Sequence, residues 1–165
     1  MTMAGKTGAG KRRYWLMKSE PDAFSIRDLI KSKNQTSPWD GVRNFQARNF
    51  MRDEMKNGDG VLFYHSSVSP PGIAGEAVIA REGYPDHTAF DRKNIHYDPK
   101  SKPDRPTWYM VDVKFVRECK ELIPLDKLRK VPELKEMVLL KASRLSVQPV
   151  TEKEWRVIMA LPEWG

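Results

Sequence analysis

Three short segments carry side chains that could bind an aromatic, polar ligand. Each places hydroxyl, amide, imidazole, carboxylate or cationic groups near an aromatic ring, and together they contain Lys18, Ser19 and Glu20; Trp39, Arg43 and Asn44; and Tyr64, His65 and Ser66. Aromatic rings stack on single-stranded or flipped nucleic-acid bases, polar groups bond to base edges, and Lys or Arg neutralises the flanking phosphates. The residue types therefore favour a polar and aromatic pocket.

These side chains also have simpler interpretations. Trp39 is as well explained by core packing as by a pocket wall. A half-buried histidine with satisfied hydrogen bonds is the better interpretation of His65 from its position alone. Arg43 could be a surface charge, although its place on the apolar face of a predicted helix argues against that. Residue types alone thus leave a pocket and an ordinary core both open.

Sequence patterns for catalysis are weak. The histidines are His65, His87 and His96, and the chain has neither a G-x-S-x-G motif nor a cysteine–histidine signature. We predict no catalytic residue. The alternative is a small metal-independent hydrolase or nuclease that acts on nucleic acid through His65, which requires an acid or a nucleophile beside the imidazole.

Metal and thiol chemistry have little support. Four side chains of ligand type match no known metal spacing, namely Asp86, His87, His96 and Asp98. We predict no metal and no cofactor. The single Cys119 excludes an internal disulfide and indicates a reducing, cytoplasmic or nuclear setting, with the thiol packed inertly.

Length and composition are typical of one globular domain. The chain has 165 residues, 39% hydrophobic and 31% charged, and its net charge of +7 favours an anionic partner. Residues 1–13 contain four basic residues and no acidic one, which predicts a flexible basic tail before a single domain at 14–165. The tail approaches a P-loop pattern at 5–12, but Arg12 replaces the Ser or Thr of that motif.

Hydrophobic periodicity predicts alternating strands and helices. Strands are predicted at 14–19, 60–66, 73–82 and 108–119, and a further pair at 138–150. Helices are predicted after a Ser25 cap, over most of 39–55, at 124–137, and after a Thr151–Glu154 capping box. We therefore predict an α+β fold with a mostly antiparallel, curved sheet or barrel and helices packed on it.

Two segments depart from this regular pattern. The helix predicted within 39–55 has an apolar stripe of Ala47, Phe50, Met51 and Met55, yet Arg43 and Asn44 begin the same stripe. Residues 83–106 contain three prolines, many charges and no periodicity, and such long loops are often functional. A protein-interaction module that uses this loop is the third functional hypothesis.

Several long motifs resemble a known family. They are YWLMKSEP, WDGVRNFQARNFMR, FYHS, PGIAG, YPDHT, MVDV and SRLSVQPVT. In this order they resemble the EVE-domain family of the PUA-like superfamily, from about residue 14 to residue 161. The resemblance implies a pseudo-barrel of about five to seven strands with flanking helices, in agreement with the periodicity.

EVE domains resemble YTH domains, which bind N6-methyladenine in RNA. Lys18 and Ser19 are similar to a YTH strand that approaches the base, Trp39 is similar to a cage tryptophan, and Asn44 lies near a polar position of the same helix start. The resemblance implies a pocket for a modified base, such as 5-methylcytosine or N6-methyladenine. YTH cages use a further tryptophan after the hairpin. This chain lacks it there, so Tyr84, Pro85 or Trp108 would close the cage.

From the resemblance we predict one concave pocket. Its base-contacting residues are expected to be Trp39, Asn44, Ser19, Tyr64, His65, Ser66 and Trp108. Phosphates are expected to contact Lys18, Arg43 and Arg144. The rim is expected to include Glu20, Tyr84, Pro85 and Ser146. The expected partner is DNA or RNA carrying a modified base, bound by a monomer without membrane contact.

Overall fold

The fold centres on a six-stranded mixed sheet. The structure is a computed structural model that describes residues 11–165. Its strands are β1 (Tyr14–Ser19), β2 (Thr36–Pro38), β3 (Gly60–His65), β4 (Gly72–Pro85), β5 (Tyr109–Pro124) and β6 (Val147–Val150), in the spatial order β2-β5-β4-β3-β1-β6. Most of the predicted tail, including the glycines of the P-loop-like pattern, lies outside the described residues.

Five short α-helices connect the strands. They are α1 (Ile26–Lys31), α2 (Phe45–Asn49), α3 (Leu125–Arg129), α4 (Val138–Lys141) and α5 (Glu152–Met159). A π-helical turn at Phe50–Glu54 continues α2, and 3₁₀ turns lie at Lys33–Gln35, His87–Phe90, Pro132–Leu134 and Pro162–Trp164. Among residues 11–165 no helix has the length and apolar character needed to cross a membrane.

Strand pairing confirms the predicted α+β class. All pairs are antiparallel except β1 with β3, which run parallel in the centre of the sheet. In that parallel pair Ser19 lies opposite His65, and Lys18 opposite Tyr64. The carboxyl ends of β1 and β3 therefore meet at one edge, which brings two of the three candidate segments together.

The sheet has a hydrophobic core on each face. The first core includes Trp15, Met17, Trp39, Met51 and Phe63. The second core is formed by Leu16, Leu62, Tyr64, Trp155 and Ile158, among others. Consecutive strand residues point to opposite faces, so the two cores alternate along β1 and β3.

The helix that contains the apolar stripe begins later than predicted. Asn44 is its N-cap, with the side-chain oxygen accepting the N–H of Ala47 at 2.9 Å, and α2 starts at Phe45. Ala47, Met51 and Met55 are buried, which confirms the stripe. Arg43 and Asn44 precede the helix, so they do not interrupt its core-facing side.

Two other predicted elements are different in the structure. Residues 138–141 form α4 where a strand was predicted, because Leu139, Leu140 and Lys141 favour helix and tertiary packing decides the state of a short apolar run. Residues 36–38 form a strand that pairs with β5, in a stretch for which no strand was predicted. Both capped helix starts are confirmed, at Ser25 and at Thr151.

The segment at 83–106 is not a structureless loop. Strand β4 continues to Pro85, a 3₁₀ turn follows at His87–Phe90, and hydrogen-bonded turns occupy much of the rest. Several of these turns are closed by side chains of Asp91, Asn94 and Asp98. Local Asx chemistry therefore orders a stretch that has no hydrophobic period.

Candidate functional site

The ends of β1 and β3 hold a cluster around His65, which we call the strand-end cluster (Ser19, His65 and Trp39). His65 Nε2 accepts the backbone N–H of Ile26 at 3.1 Å, the first residue of α1. Burial lowers the pKa of His65, although the charge of Glu118 opposes that shift. Because Nε2 is an acceptor, the proton of the neutral ring lies on Nδ1, which has no hydrogen-bond partner within residues 11–165. The ring thus holds one donor at the sheet edge.

Ser19 fixes the chain that leaves β1. Its hydroxyl donates to the Phe24 carbonyl at 2.5 Å, and its own carbonyl accepts the N–H of Ser66 at 3.0 Å. The backbone carbonyl of Glu20 accepts the N–H groups of Ala23 and Phe24, while its side chain is exposed. These bonds close the turn between β1 and α1 around His65.

Trp39 is a core residue by burial. Its side chain is 7% exposed and meets the rings of Phe24 and Phe63 edge to face, at centroid distances of 6.4 and 5.3 Å. Phe63 in turn meets the His65 imidazole edge to face at 5.7 Å. The aromatic contacts therefore connect Trp39 to His65 on one face of the sheet. The core interpretation of Trp39 is confirmed, and its contact with a base stays a prediction.

Lys18 and Tyr64 lie on the other face. Tyr64 belongs to the second core, and the Lys18 Nζ is 5.9 Å from the centre of its ring. The prediction that Tyr64 shares a pocket with Trp39 is wrong, because neighbouring residues of a strand face opposite sides. Burial raises the pKa of Tyr64 and lowers the pKa of Lys18.

The loop before β6 meets Lys18. The Lys18 Nζ donates to the Ser143 carbonyl at 2.7 Å, and its backbone N–H donates to the Ser146 carbonyl at 2.9 Å. Arg144 is exposed beside these contacts. The structure therefore places Lys18 against the loop that contains Arg144 and Ser146, on the side of the sheet that carries Tyr64, and a pocket shared by these residues stays a prediction.

Arg43 is the centre of a second group, which we call the Arg43 cluster (Arg43, Asp86, Thr88 and His96). The guanidinium donates to Asp86 Oδ2 at 3.0 Å, to Thr88 Oγ1 at 3.3 Å and to the His96 carbonyl at 2.7 Å. It also donates to the carbonyl of Val42. Arg43 thus neutralises a buried carboxylate with N–H donors that all have internal acceptors, and its contact with phosphate stays a prediction.

Asp86 is fully buried at the base of this cluster. It accepts the N–H of Gly41, both donors of Thr88 and one guanidinium N–H of Arg43. Burial acts to raise its pKa, but these hydrogen bonds outweigh that effect and lower the pKa below its usual value. The carboxylate is therefore charged and holds the chain after Trp39 against the chain after β4.

The aromatic residue Trp108 is covered from within the chain. Its Nε1 donates to Asp98 Oδ2 at 2.6 Å, and the Arg43 guanidinium carbon lies 5.2 Å from its ring centre. The ring of Phe45 stacks on it at 4.9 Å. Trp108 is only 7% exposed, so a base could stack on it only after the Phe45 ring or the guanidinium moves.

The other proposed cage residues lie elsewhere. The Tyr84 hydroxyl donates to Asp112, whose neighbours Val111 and Val113 face the first core. Tyr84 is therefore on the opposite face from Trp39, and the prediction that it closes the cage is wrong. Burial and the hydrogen bond with Asp112 raise the pKa of Tyr84. Pro85 is exposed and ends β4 opposite Tyr109.

Phe45 is a surface aromatic that the sequence interpretation missed. It is 59% exposed at the start of α2, with the guanidinium carbon of Arg48 4.9 Å from its ring centre. Its position is out of phase with the buried stripe of Ala47 and Met51, on the same side as Arg48. An apolar ring on the polar side of an amphipathic helix was the available signal.

The residues considered for metal, acid–base and thiol chemistry have defined surroundings within residues 11–165. In the described part of the chain, no three His, Cys, Asp or Glu side chains are placed to hold a metal ion. The Nε2 of His65 is occupied by Ile26, so that nitrogen is not a free general base. Burial raises the pKa of the Cys119 thiol to about 12, as suits an inert packed residue.

Comparison with known proteins matches nearly the whole chain. The family described as "EVE domain" matches residues 13–161. Human thymocyte nuclear protein 1 is 49% identical over 167 residues, which cover 91% of this chain and 74% of that protein. A hypothetical protein from Leishmania major is 50% identical in structural alignment, with a TM-score of 0.86 and coverage of 90% of this chain and 93% of the other.

A third match is the human THYN1 protein solved in complex with DNA that contains 5-methylcytosine. The two chains are 49% identical, with a TM-score of 0.85 and coverage of 90% of this chain and 96% of the human one. The family match covers most of the sequence, and the 49% identity to the human protein extends over 91% of this chain. This chain therefore belongs to the EVE domain family.

Proposed function

We propose that this chain is a nucleic-acid-binding module that reads a modified base, with 5-methylcytosine in DNA as the first candidate. The observation that carries the proposal is the 49% identity and the TM-score of 0.85 to the human THYN1 protein, which was solved with 5-methylcytosine-containing DNA. N6-methyladenine and RNA are the competing ligands, because the YTH resemblance of the motifs favours them. The name of the human relative places that protein in the nucleus, and we extend this location to the present chain.

The strand-end cluster is the proposed base pocket. A base edge needs donors and acceptors in fixed positions, and the bond from Ile26 to Nε2 orients the Nδ1–H of His65. Trp39, packed against the fully buried Phe63, supplies the aromatic wall next to that donor. The methyl group of a neutral methylated base gains from apolar contact with such rings. We assign the reading donor to His65 and the apolar contact to the exposed edge of Trp39.

Phosphate contacts are assigned to cations that the fold leaves available. Lys18 contacts the Ser143 carbonyl in the loop that carries Arg144, and neither Lys18 nor Arg144 forms an ion pair within residues 11–165. Burial lowers the pKa of Lys18, and a neighbouring phosphate would oppose that shift. Arg43 positions the pocket segment through Asp86 and makes no phosphate contact in this proposal.

Binding of short oligonucleotides tests the proposal. Single-stranded and duplex DNA and RNA, each with and without 5-methylcytosine or N6-methyladenine, are titrated at two salt concentrations. We expect a modification-dependent gain in affinity that persists at the higher salt concentration. Binding that ignores the modification and collapses with salt would contradict base reading and leave only a basic surface.

Variants separate the pocket from the fold. A full stacking residue contributes about 1–3 kcal/mol per base, and Trp39 offers only its exposed edge, so Trp39→Ala should weaken binding by about tenfold, near the lower end of that range. Trp39 is also a core residue, so Trp39→Ala must be checked for folding and Trp39→Phe compared with it. His65→Ala removes the reading donor, and His87→Ala, at an exposed histidine, is its matched control. Equal affinity of the His65 and His87 variants would exclude His65 from the pocket.

A further inference from the structure

Ile95 projects from an ordered loop into solvent. Its side chain is 92% exposed, the largest exposed fraction among the exposed large hydrophobic residues. The turns around it are fixed, because Asn94 donates to the Asp91 carbonyl at 2.9 Å and Tyr97 donates to the Asn94 carbonyl at 3.0 Å. His96 also donates to Asn94 Oδ1 at 2.8 Å. Ile95 therefore contributes no buried apolar surface to the stability of the fold, although the loop around it is ordered.

The same loop is anchored beside the proposed pocket. The His96 carbonyl accepts two N–H groups of Arg43, at 2.7 and 3.3 Å. The His96 ring packs on Gly41, where a Cβ atom would lie 2.5 Å from its Nε2, and Gly41 has a φ of +78°. Gly41 is two residues from Trp39. Ile95 is therefore held in a defined position next to the segment that carries the pocket wall.

The surface around Ile95 is basic. Five exposed side chains of the loop form no ion pair within residues 11–165, namely Arg92, Lys93, Lys100, Lys102 and Arg105. The loop also has three acidic residues, of which Asp91 and Asp98 accept internal N–H groups and Asp104 is exposed, so its basic residues exceed its acidic ones by two (five minus three). These cations precede and follow Ile95 in the sequence. Duplex nucleic acid is complementary to this arrangement, because its phosphates attract cations and its stacked bases can accept an apolar side chain.

We propose that residues 91–105 form a duplex-contacting arm, with Ile95 inserted into the base stack where the read base leaves it. This inference rests on the proposed function, because a base in a duplex must flip out of the stack to enter a pocket. Apolar side chains stabilise the opened step by filling the space between neighbouring base pairs, and the loop cations hold the adjacent phosphates. A single strand has no such step, so the arm acts on duplexes only.

The experiment compares one modified sequence in two forms. Wild type, Ile95→Ala and the control Val68→Ala, at another exposed aliphatic residue, are titrated with single-stranded and duplex DNA that contain the same 5-methylcytosine. A 2-aminopurine next to the modified base reports unstacking. We expect Ile95→Ala to weaken duplex binding about tenfold and to reduce the fluorescence gain, with single-strand affinity unchanged. Val68→Ala should match wild type in both forms.

The outcomes distinguish this inference from the proposed function. Equal effects of Ile95→Ala on the duplex and the single strand would overturn the arm while base reading stands. If wild type shows no preference for the modified base in either form, base reading fails and the arm fails with it. Arg92→Gln and Lys93→Gln should each reduce the salt slope of duplex binding by about one, and an unchanged slope would overturn the phosphate contacts.

Discussion

The strand-end cluster and the Arg43 cluster lie four residues apart along the chain, at Trp39 and at Arg43, but they are held in different ways. Backbone pairing of β1 with β3 sets the position of His65 opposite Ser19. In the Arg43 cluster a single buried carboxylate, Asp86, joins residues 41–43 to the turn at Thr88, and Arg43 in turn holds the His96 carbonyl. Many backbone hydrogen bonds together fix the position of a residue in a strand ladder. In the Arg43 cluster the positions of several residues depend on one side chain.

The largest difference between the two clusters should appear when Asp86 is removed. Asp86→Ala leaves the Arg43 charge, the Gly41 N–H and the Thr88 donors without their acceptor in a buried place. Breaking one side of a buried ion pair costs about 3–5 kcal/mol, so the free energy of unfolding should fall by about that amount. Urea unfolding monitored by tryptophan fluorescence measures the change.

Glu136→Ala is the matched control for this variant. Glu136 also forms an ion pair, with Lys141, but both side chains are largely exposed. Solvent screens such an exposed pair, so its loss should leave the free energy of unfolding nearly unchanged. Similar costs for the Asp86 and Glu136 variants would show that Asp86 is not the centre of its cluster.

A smaller effect is expected from protonation of His65. Its pKa is lowered in the folded state, so the unfolded chain binds the proton more readily. The stability contributed by the neutral ring is fully present above the ordinary value of 6.5 and is lost as the pH falls through the lowered folded pKa. The urea concentration at the unfolding midpoint should therefore decrease as the pH is lowered from about 7.5 to about 5.5.

Two substitutions test whether His65 causes the pH dependence of stability. His65→Gln keeps an acceptor for the Ile26 N–H but does not titrate, so the decrease should become shallower. His87→Gln, at an exposed histidine, should keep the wild-type slope. If both variants retain the full slope, another group controls the acid response and the bond to Ile26 is not its origin.

Sequence patterns predicted the elements that carry the strand-end cluster. Strand β1 was predicted with its observed bounds, β3 to within one residue, and the caps at Ser25 and Thr151 were correct, because periodicity and capping are local properties. The sequence analysis did not assign the candidate residues to the two faces of the sheet. Tyr64 and His65 are adjacent in sequence, and pooling them in one pocket ignored the alternation of side chains along a strand.

The Arg43 cluster was beyond sequence inference for a different reason. Arg43 and Asp86 are separated by 43 residues, and no periodicity links an arginine in an extended segment to an aspartate before a 3₁₀ turn. Their pairing depends on long-range packing of β4, β5 and α2. The helix start at Asn44 was missed because the apolar stripe begins at Ala47 and a cap carries no hydrophobic signal.

The smallest of these effects concerns Phe45, which connects the Arg43 cluster to solvent. Phe45→Ala removes its stacking on Trp108 and should lower the free energy of unfolding by about 1 kcal/mol or less, since the ring is largely exposed. If the exposed ring stacks on a base beside the pocket, affinity for modified single-stranded DNA should fall about fivefold. Val116→Ala, at an exposed position on β5, controls for loss of surface apolar area. Ile95→Ala should weaken binding of duplex DNA only, whereas Phe45→Ala should weaken binding of single-stranded DNA. Together the two variants would distinguish a residue that stacks on a base from one that inserts into a duplex. Unchanged affinity in Phe45→Ala would show that Phe45 only covers Trp108.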